Sequence, residues 1–230
     1  MNQQNYDVII VGAGPMGIFT AYELTTLFND KKILLIDRGH DIYTRKCPVL
    51  EHKIKHCPKD KDGNSGCKPA CSMTNGFGGS GAYSDGKFNI TAEFGGWMTD
   101  YLPEEEVLEL IRYVDNINLK HGAPNELTKP YTHEVYEIEK KAISVGLKLL
   151  RSEVRHLGTE INLQVLKNIY EELKKKMDFL FETNVIDVIV ENNEAKGVVL
   201  ENGDKLFAKA VVLGVGRAGS EWLSQVVKKH

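Results

Sequence analysis

An apolar run from Tyr6 to Val11 leads straight into Gly12-Ala13-Gly14-Pro15-Met16-Gly17, and a second apolar run, Ile33 to Ile36, ends in Asp37. Few folds accept that arrangement. A G-x-G-x-x-G hexapeptide alone arises by chance, but here it stands between a predicted strand and a predicted helix, with an acidic residue about 20 positions further on. The unit expected is a strand–helix–strand that binds a dinucleotide.

Each position has a physical task. Gly12 permits the tight strand-to-helix turn, Gly14 lets a pyrophosphate approach the backbone with no Cβ in the way, and Gly17 allows the helix to pack closely on the strand. Ala13 and Met16 complete the turn. The phosphates are expected at the helix N-terminus, where unpaired N–H groups and the positive end of the macrodipole converge. Pro15 suits the first helical turn because its missing N–H would have had no partner there. Asp37, at the tip of the second strand, can accept hydrogen bonds from the hydroxyls of an adenosine ribose. Its charge repels a 2′-phosphate, which favours FAD or NAD over NADP.

With 230 residues, 42% of them hydrophobic, the chain can bury a proper core as one large domain or as one domain with a smaller appendage. A net charge of −3 and the lack of a basic patch interleaved with aromatics give no support to a nucleic-acid partner. The short basic run Lys174-Lys175-Lys176 reads as the solvated end of a helix. Met1-Asn2-Gln3-Gln4-Asn5 has no basic leader region, and the apolar stretch that follows is too short and too rich in Gly and Pro for a membrane span. A cytoplasmic protein with no membrane partner is expected.

Residues 40–75 are polar, rich in Lys and Pro, and residues 76–96 are glycine-rich; neither stretch is expected to form regular structure. Pro103 to His121 predicts an amphipathic helix, with Glu104, Glu105 and Glu106 complementing the dipole of its first turn. Between Ala123 and His156 the pattern alternates at Tyr131 to Ile138 and then becomes mixed, as in a small strand-and-helix insertion facing a ligand. Asn162 to Met177 predicts another amphipathic helix, followed by strands at Phe179–Phe181, Val185–Val190, Ala195–Leu200 and Lys205–Val215. Asn192-Asn193 and Asn202-Gly203-Asp204 supply turns, giving a three-stranded meander that returns to the main sheet before a short helix in Gly216–His230. The fold class expected is α/β, a Rossmann-like FAD/NAD(P)-binding βαβ fold with a three-stranded β-meander and a small α+β insertion. Residues 1–39 and 157–230 would form the dinucleotide-binding domain, 40–96 a Cys- and Gly-rich insertion carrying a cofactor loop, and 97–156 a helical and small-strand insertion forming part of a substrate domain.

Several segments together carry a family likeness. Gly12-Ala13-Gly14-Pro15-x-Gly17 with Ala21 and Leu24, Ile36-Asp37-Arg38-Gly39, and Gly78-Gly79-Ser80-Gly81-Ala82-Tyr83-Ser84-Asp85-Gly86-Lys87 resemble the FAD-dependent dehydrogenases of the broad NAD(P)/FAD-dependent oxidoreductase group. Arg155-His156-Leu157-Gly158-Thr159-Glu160, Glu182-Thr183-Asn184-Val185 and Val211-Val212-Leu213-Gly214-Val215-Gly216-Arg217 continue the likeness in order and spacing over nearly the whole chain. Gly214 and Val215 depart from the family, which often has Ala and Thr there. The resemblance implies FAD, held by Gly12–Gly17, Asp37 and Arg38. It places Gly79, Ser80, Gly81 and Ala82 on a loop approaching the pyrophosphate or flavin ring from the second side. Val185 would contact the adenine through backbone groups, and Gly214 and Gly216 would let the returning strand pass close. Val185 reads equally well as a buried strand residue.

No catalytic constellation is legible, because a flavin performs its own hydride and electron chemistry. Lys87, as a cation near the flavin N1, and His156, as a proton-transfer group, are the candidates, and a solvated lysine is an equal reading of the first. Cys47, Cys57, Cys67 and Cys71 lie within 25 residues with nine, nine and three residues between them. In a reduced compartment such clustering suggests zinc or an iron–sulfur cluster, with His52 or His56 as substitute ligands. Only Cys67-x₃-Cys71 approaches a tight ligand pair, so redox-active or free thiols are the alternative. The resembling proteins continue into a long substrate domain, so this chain looks like an N-terminal portion, with three readings open: a truncated chain lacking its C-terminal half, a split polypeptide completed by a partner chain, or a natural short form. The function expected is that of an FAD-dependent oxidoreductase acting with a small-molecule substrate or electron donor or acceptor. The alternatives are an NAD-binding Rossmann protein and a non-enzymatic nucleotide- or metal-binding module.

Overall fold

The computed structural model describes residues 5–61, 63 and 66–230. Its elements in chain order are β1 (Asn5–Val11), α1 (Pro15–Leu27), β2 (Ile33–Ile36), β3 (Lys87–Ile90), α2 (Glu104–Lys120), α3 (His133–Ser144), β4 (Glu153–His156), α4 (Thr159–Lys174), β5 (Asp178–Leu180), β6 (Val185–Glu191), β7 (Glu194–Leu200), β8 (Lys205–Leu213) and α5 (Ser220–Lys229). The chain divides into two compact units, residues up to 83 with 166–230, and residues 84–165. Among the described residues, no helix is long and apolar enough to cross a membrane.

The first unit is built on a six-stranded sheet of order β5-β2-β1-β8-β7-β6. Strands β5, β2, β1 and β8 run parallel, with Ile9 opposite Leu34 on one side and Val211 on the other. Parallel strands covered on both faces read as continuous apolar runs, and Ile33 to Ile36 is buried at every position. The β6–β7–β8 meander completes the sheet antiparallel. Its first turn places Asn192 and Asn193 both in the left-handed region, φ 52° and 62°, as a tight hairpin between right-twisted strands demands. One face of the sheet forms a core of Tyr6, Ile9, Val11, Ile36, Val198 and Leu200 with their neighbours. Elsewhere in the unit Phe77, Tyr170, Phe179 and Phe181 form an aromatic cluster, with Phe77 and Tyr170 edge-to-face at 5.0 Å.

By compactness alone, residues 40–83 fall in the unit built on the six-stranded sheet, and the divisions lie at 83/84 and 165/166. The glycine-rich stretch is not wholly irregular, since Gly79–Tyr83 forms a 3₁₀ turn and β3 pairs antiparallel with β4. That pairing joins segments more than 60 residues apart, so no local pattern announces it. Tyr131 to Ile138, whose alternation suggested extended chain, lies mostly in α3. Thr132 caps that helix by accepting a hydrogen bond from the Val135 N–H at 3.4 Å. No residue of α3 is fully buried.

In the second unit α2 and β4 are tied by a buried ion pair. Arg155 donates from Nε and Nη2 to the two carboxylate oxygens of Asp115 at 2.6 and 2.7 Å, and from Nη1 to the Pro124 carbonyl. Removing one member of such a pair strands the other charge in a poorly solvated site. Asp115→Ala should therefore destabilise the chain by about 3–5 kcal/mol. In urea unfolding the double variant Asp115→Ala/Arg155→Met should lose less than the sum of its single changes, because no orphan charge is left.

Candidate functional site

The turn between β1 and α1 is closed by backbone on backbone. Gly12 has φ +105°, and a Cβ there would lie 2.4 Å from the Gly214 oxygen, so the backbone just after β8 passes where any side chain would project. A Cβ on Gly17 would lie 1.9 Å from the Gly12 oxygen, which fixes how tightly α1 sits on the turn. Gly14 differs from both. A Cβ built there meets nothing within 4 Å, so the turn is open at the one glycine that faces the helix N-terminus. Pro15 starts the helix, and Met16, half-exposed, lies over Gly214, whose own Cβ would reach the Met16 sulfur at 2.5 Å.

Asp37 is held by three backbone donors. The Ala13 N–H reaches Oδ2 at 2.8 Å, and the N–H groups of Gly39 and Gly76 reach Oδ1 at 2.7 and 2.8 Å. The carboxylate thus joins the glycine turn, its own strand end and the loop before Phe77. An ionised carboxylate offers about four acceptor positions, so about one remains for a ligand hydroxyl. Arg38 donates to the Asn75 side chain at 2.8 Å and to the Ala218 carbonyl at 2.9 Å.

The second glycine loop lies on the first. Gly78 donates to the Ala13 carbonyl at 2.8 Å, and a Cβ on Gly79 would sit 3.1 Å from the Gly14 Cα. Ser80 is exposed and Gly81 open, whereas Ala82 is buried and turned into the fold. Arg45 holds this loop, a role that the sequence did not reveal. Its side chain is 7% exposed and donates to the carbonyls of Ser72 at 2.6 Å, Phe77 at 2.7 Å and Gly79 at 2.5 Å, with the Tyr83 ring beneath the guanidinium. Burial pulls the pKa of this guanidinium below its usual range, against the opposing pull of the Tyr83, Asp37 and Cys71 charges.

Beside Asp37 a cavity of about 200 Å³ opens between the tips of β1, β2 and β6 and the segment after β8. Gly12, Asp37, Arg38 and Val185, all named as candidates from sequence, line it together with Val11, Thr183, Asn184, Val215 and Trp222. Thr183 and Asn184 belong to the stretch already singled out with Val185. Trp222 gave no signal beyond being one of two tryptophans in the chain. Val185 is 6% exposed within the core and also borders the cavity. Gly216, φ +60°, faces open space where the chain leaves β8 for α5. A larger polar cavity of about 630 Å³ shares Arg38, Asn75 and Asn184 with the first.

The cysteines do not assemble. Cys47 is buried, Cys57 exposed, and Cys67 and Cys71 half-buried along the polar cavity. Among the described residues, no group of three or more His, Cys, Asp or Glu side chains is placed to hold a metal, His52 and His56 included. The zinc or iron–sulfur site expected on these residues is thus not shown among the described residues, where Cys47 is turned inward and Cys57 outward. Lys87 and His156 stand opposite each other across β3 and β4 in the second unit. Both face Asp85, at 3.0 and 3.6 Å, and the Lys87 hydrogen bond holds the Asp85 carboxyl below the usual carboxylate range.

No family model matches the chain. An uncharacterised protein of Clostridium beijerinckii is 26% identical over 223 residues, which make up 96% of this chain and 33% of that protein. Among solved structures, Escherichia coli quinol fumarate reductase FrdA is similar with a TM-score of 0.53 and 16% identity, over 95% of this chain and 34% of that one. The 3-ketosteroid-Δ4-(5α)-dehydrogenase of Rhodococcus jostii matches with a TM-score of 0.52 and 13% identity, over 91% of this chain and 45% of that one. Glycine oxidase of Bacillus cereus matches with a TM-score of 0.51 and 13% identity, over 96% of this chain and 58% of that one. The chain therefore spans between a third and three-fifths of the length of these proteins, and its fold is the Rossmann-like one of FAD-binding oxidoreductases.

Proposed function

We propose that this chain is the dinucleotide-binding part of a flavin-dependent oxidoreductase and that its ligand is FAD. The observation that carries the reading is the contrast within the glycine turn. Gly12 and Gly17 are sealed by neighbouring backbone, whereas Gly14 faces open space at the N-terminus of α1 beside an adenosine-sized cavity. A Cβ at Gly14 would intrude only on a ligand. The proteins of similar fold are oxidoreductases, and the β6–β7–β8 meander that enters the sheet next to β1 has no place in a simple NAD domain.

The residues divide the work. The first free N–H groups of α1 would hold the pyrophosphate, with the positive end of the helix dipole behind them. Gly79, stacked over Gly14 and Pro15, would close the turn from its other side, and exposed Ser80 and open Gly81 extend that wall. The remaining acceptor position of Asp37 would take a ribose hydroxyl, and Val11, Val185 and Val215 would give the adenine an apolar wall. FAD, when bound, supplies hydride and electron transfer. This chain contributes binding and orientation, and the substrate or electron partner belongs to the wider protein.

An absorption spectrum of freshly purified, anaerobically handled protein, followed by FAD titration, tests the reading. The expected result is a flavin spectrum or, from colourless protein, saturable uptake of FAD but not of FMN. At free FAD 100 times Kd the folded state should gain about 2.7 kcal/mol, read as a rise in melting temperature. Protein that is colourless, takes up no FAD and melts at an unchanged temperature in its presence would overturn the proposal.

A further inference from the structure

From the cavity beside Asp37 we infer that Trp222 is the stacking platform for the adenine ring, and so the residue that makes this site select an adenine dinucleotide over a flavin mononucleotide. The inference rests on the proposed function and names the recognition element within that site. Trp222 is the one aromatic side chain among the residues lining the cavity. Its indole Nε1 donates to the Ile186 carbonyl at 2.8 Å, so the ring is pinned to the edge of β6 while the side chain stays half-buried. The same ring packs on the margin of the apolar core that contains Val185.

That fixation matters energetically. An indole with its polar atom satisfied presents a rigid π-face, and a neutral planar purine gains from offset stacking on such a face without any charge to desolvate. Arg38, which lines the same cavity, donates to the Ala218 carbonyl just before α5 and through Nε to the Asn75 side chain. A tryptophan kept only as core filling would not need to border the cavity occupied by Asp37 and Val185. The lining offers no second aromatic ring, so the loss of this one should not be compensated.

The test uses the full chain carrying Trp97→Phe, which leaves Trp222 as its sole tryptophan; Trp97 lies in the other unit and is 81% exposed. ADP and riboflavin are titrated separately while indole emission is followed, with calorimetry giving the affinities. ADP does not absorb where indole emits, so a saturable emission change with ADP reports contact rather than energy transfer to a flavin. The expected outcome is such a change with ADP and none with riboflavin. Trp222→Ala should weaken both ADP and FAD by about 10- to 100-fold, whereas Trp222→Phe, which keeps a π-face, should lose only about threefold. If ADP binds without moving the emission, or if Trp222→Ala binds ADP as tightly as its parent, the inference fails while the FAD reading stands. If the parent binds neither FAD nor ADP, both fall. Should the alanine variant not fold, the ADP emission titration and the phenylalanine variant decide alone.

Discussion

Gly17→Ala should destabilise the folded chain by about 3 kcal/mol or more, while Gly14→Ala, three residues away, should leave stability unchanged and remove most of the affinity for FAD. The two substitutions add the same methyl group. At Gly17 it would lie 1.9 Å from the Gly12 oxygen and 3.1 Å from the Gly12 carbonyl carbon, atoms of a backbone that cannot swing aside. Gly12 in turn is locked, because its N–H donates to the Ile36 carbonyl at 2.7 Å and the backbone just after β8 fills the space on its other side. Relief therefore requires α1 to lift from the sheet, exposing Ile18 and Ala21, which are 1% and 0% exposed. At Gly14 the backbone is extended, φ −75° and ψ −177°, a conformation any residue adopts, and the added methyl meets no protein atom. It would meet only the pyrophosphate.

Urea unfolding and FAD titration of the two variants read the contrast. Gly17→Ala should shift the unfolding midpoint strongly with an unchanged slope, whereas Gly14→Ala should unfold with the parent and bind FAD on the order of 100-fold more weakly. A Gly14→Ala protein that binds FAD with the parent's affinity would place the pyrophosphate elsewhere. A Gly17→Ala protein of parental stability would mean that helix and turn can separate at no cost, contrary to the contact seen here.

The second large effect is expected at Arg45. Its guanidinium is the common partner of four carbonyls on the 72–79 loop, those of Ser72, Gly76, Phe77 and Gly79, and its aromatic neighbour Tyr83 returns a hydrogen bond from its hydroxyl to the Arg45 carbonyl at 3.1 Å. Arg45→Ala leaves those acceptors without donors in a dry site, a loss of about 3–5 kcal/mol. Arg45→Lys should recover less than half of it, since a point ammonium cannot span acceptors that a planar fork reaches together. Because Gly78 and Gly79 lie on the Ala13–Pro15 turn, both variants should also weaken FAD binding, and limited proteolysis should open the chain between residues 72 and 82. Parental stability in Arg45→Ala would show that the loop is held by its backbone contacts alone.

These cases show where sequence reasoning was sufficient. The strand, turn and helix of the first βαβ unit were legible because each is specified locally. Apolar runs mark buried parallel strands, glycines mark backbone that must pass close, and Asn-Asn and Asn-Gly mark hairpin turns. Hence β1, β2 and the β6–β7–β8 meander fall within a residue or two of their predicted bounds, and α1 follows the glycine turn as expected. The expected roles of Gly12 and Gly17 correspond to contacts now given as distances. The small strand β3 and the helix α3 were misread because neither has a complete local signature. One is four residues of half-buried chain waiting for a distant partner, and the other fully buries no residue.

The site divides along the same line. Sequence by itself determined that an acidic residue would end β2 beside a glycine turn, since both lie within 26 residues of one another and their geometry follows from one βαβ unit. Only the tertiary structure decided that this acid is already engaged by three backbone N–H groups, and that a buried arginine secures the second glycine loop. It alone placed the cavity wall on a tryptophan 185 positions after Asp37 (222 − 37) and left the four cysteines dispersed. The reason is physical. Backbone conformation is set by neighbours in the chain, whereas the satisfaction of a buried charge or the lining of a cavity depends on which distant groups folding happens to bring within hydrogen-bond and van der Waals range, and no sequence interval encodes that.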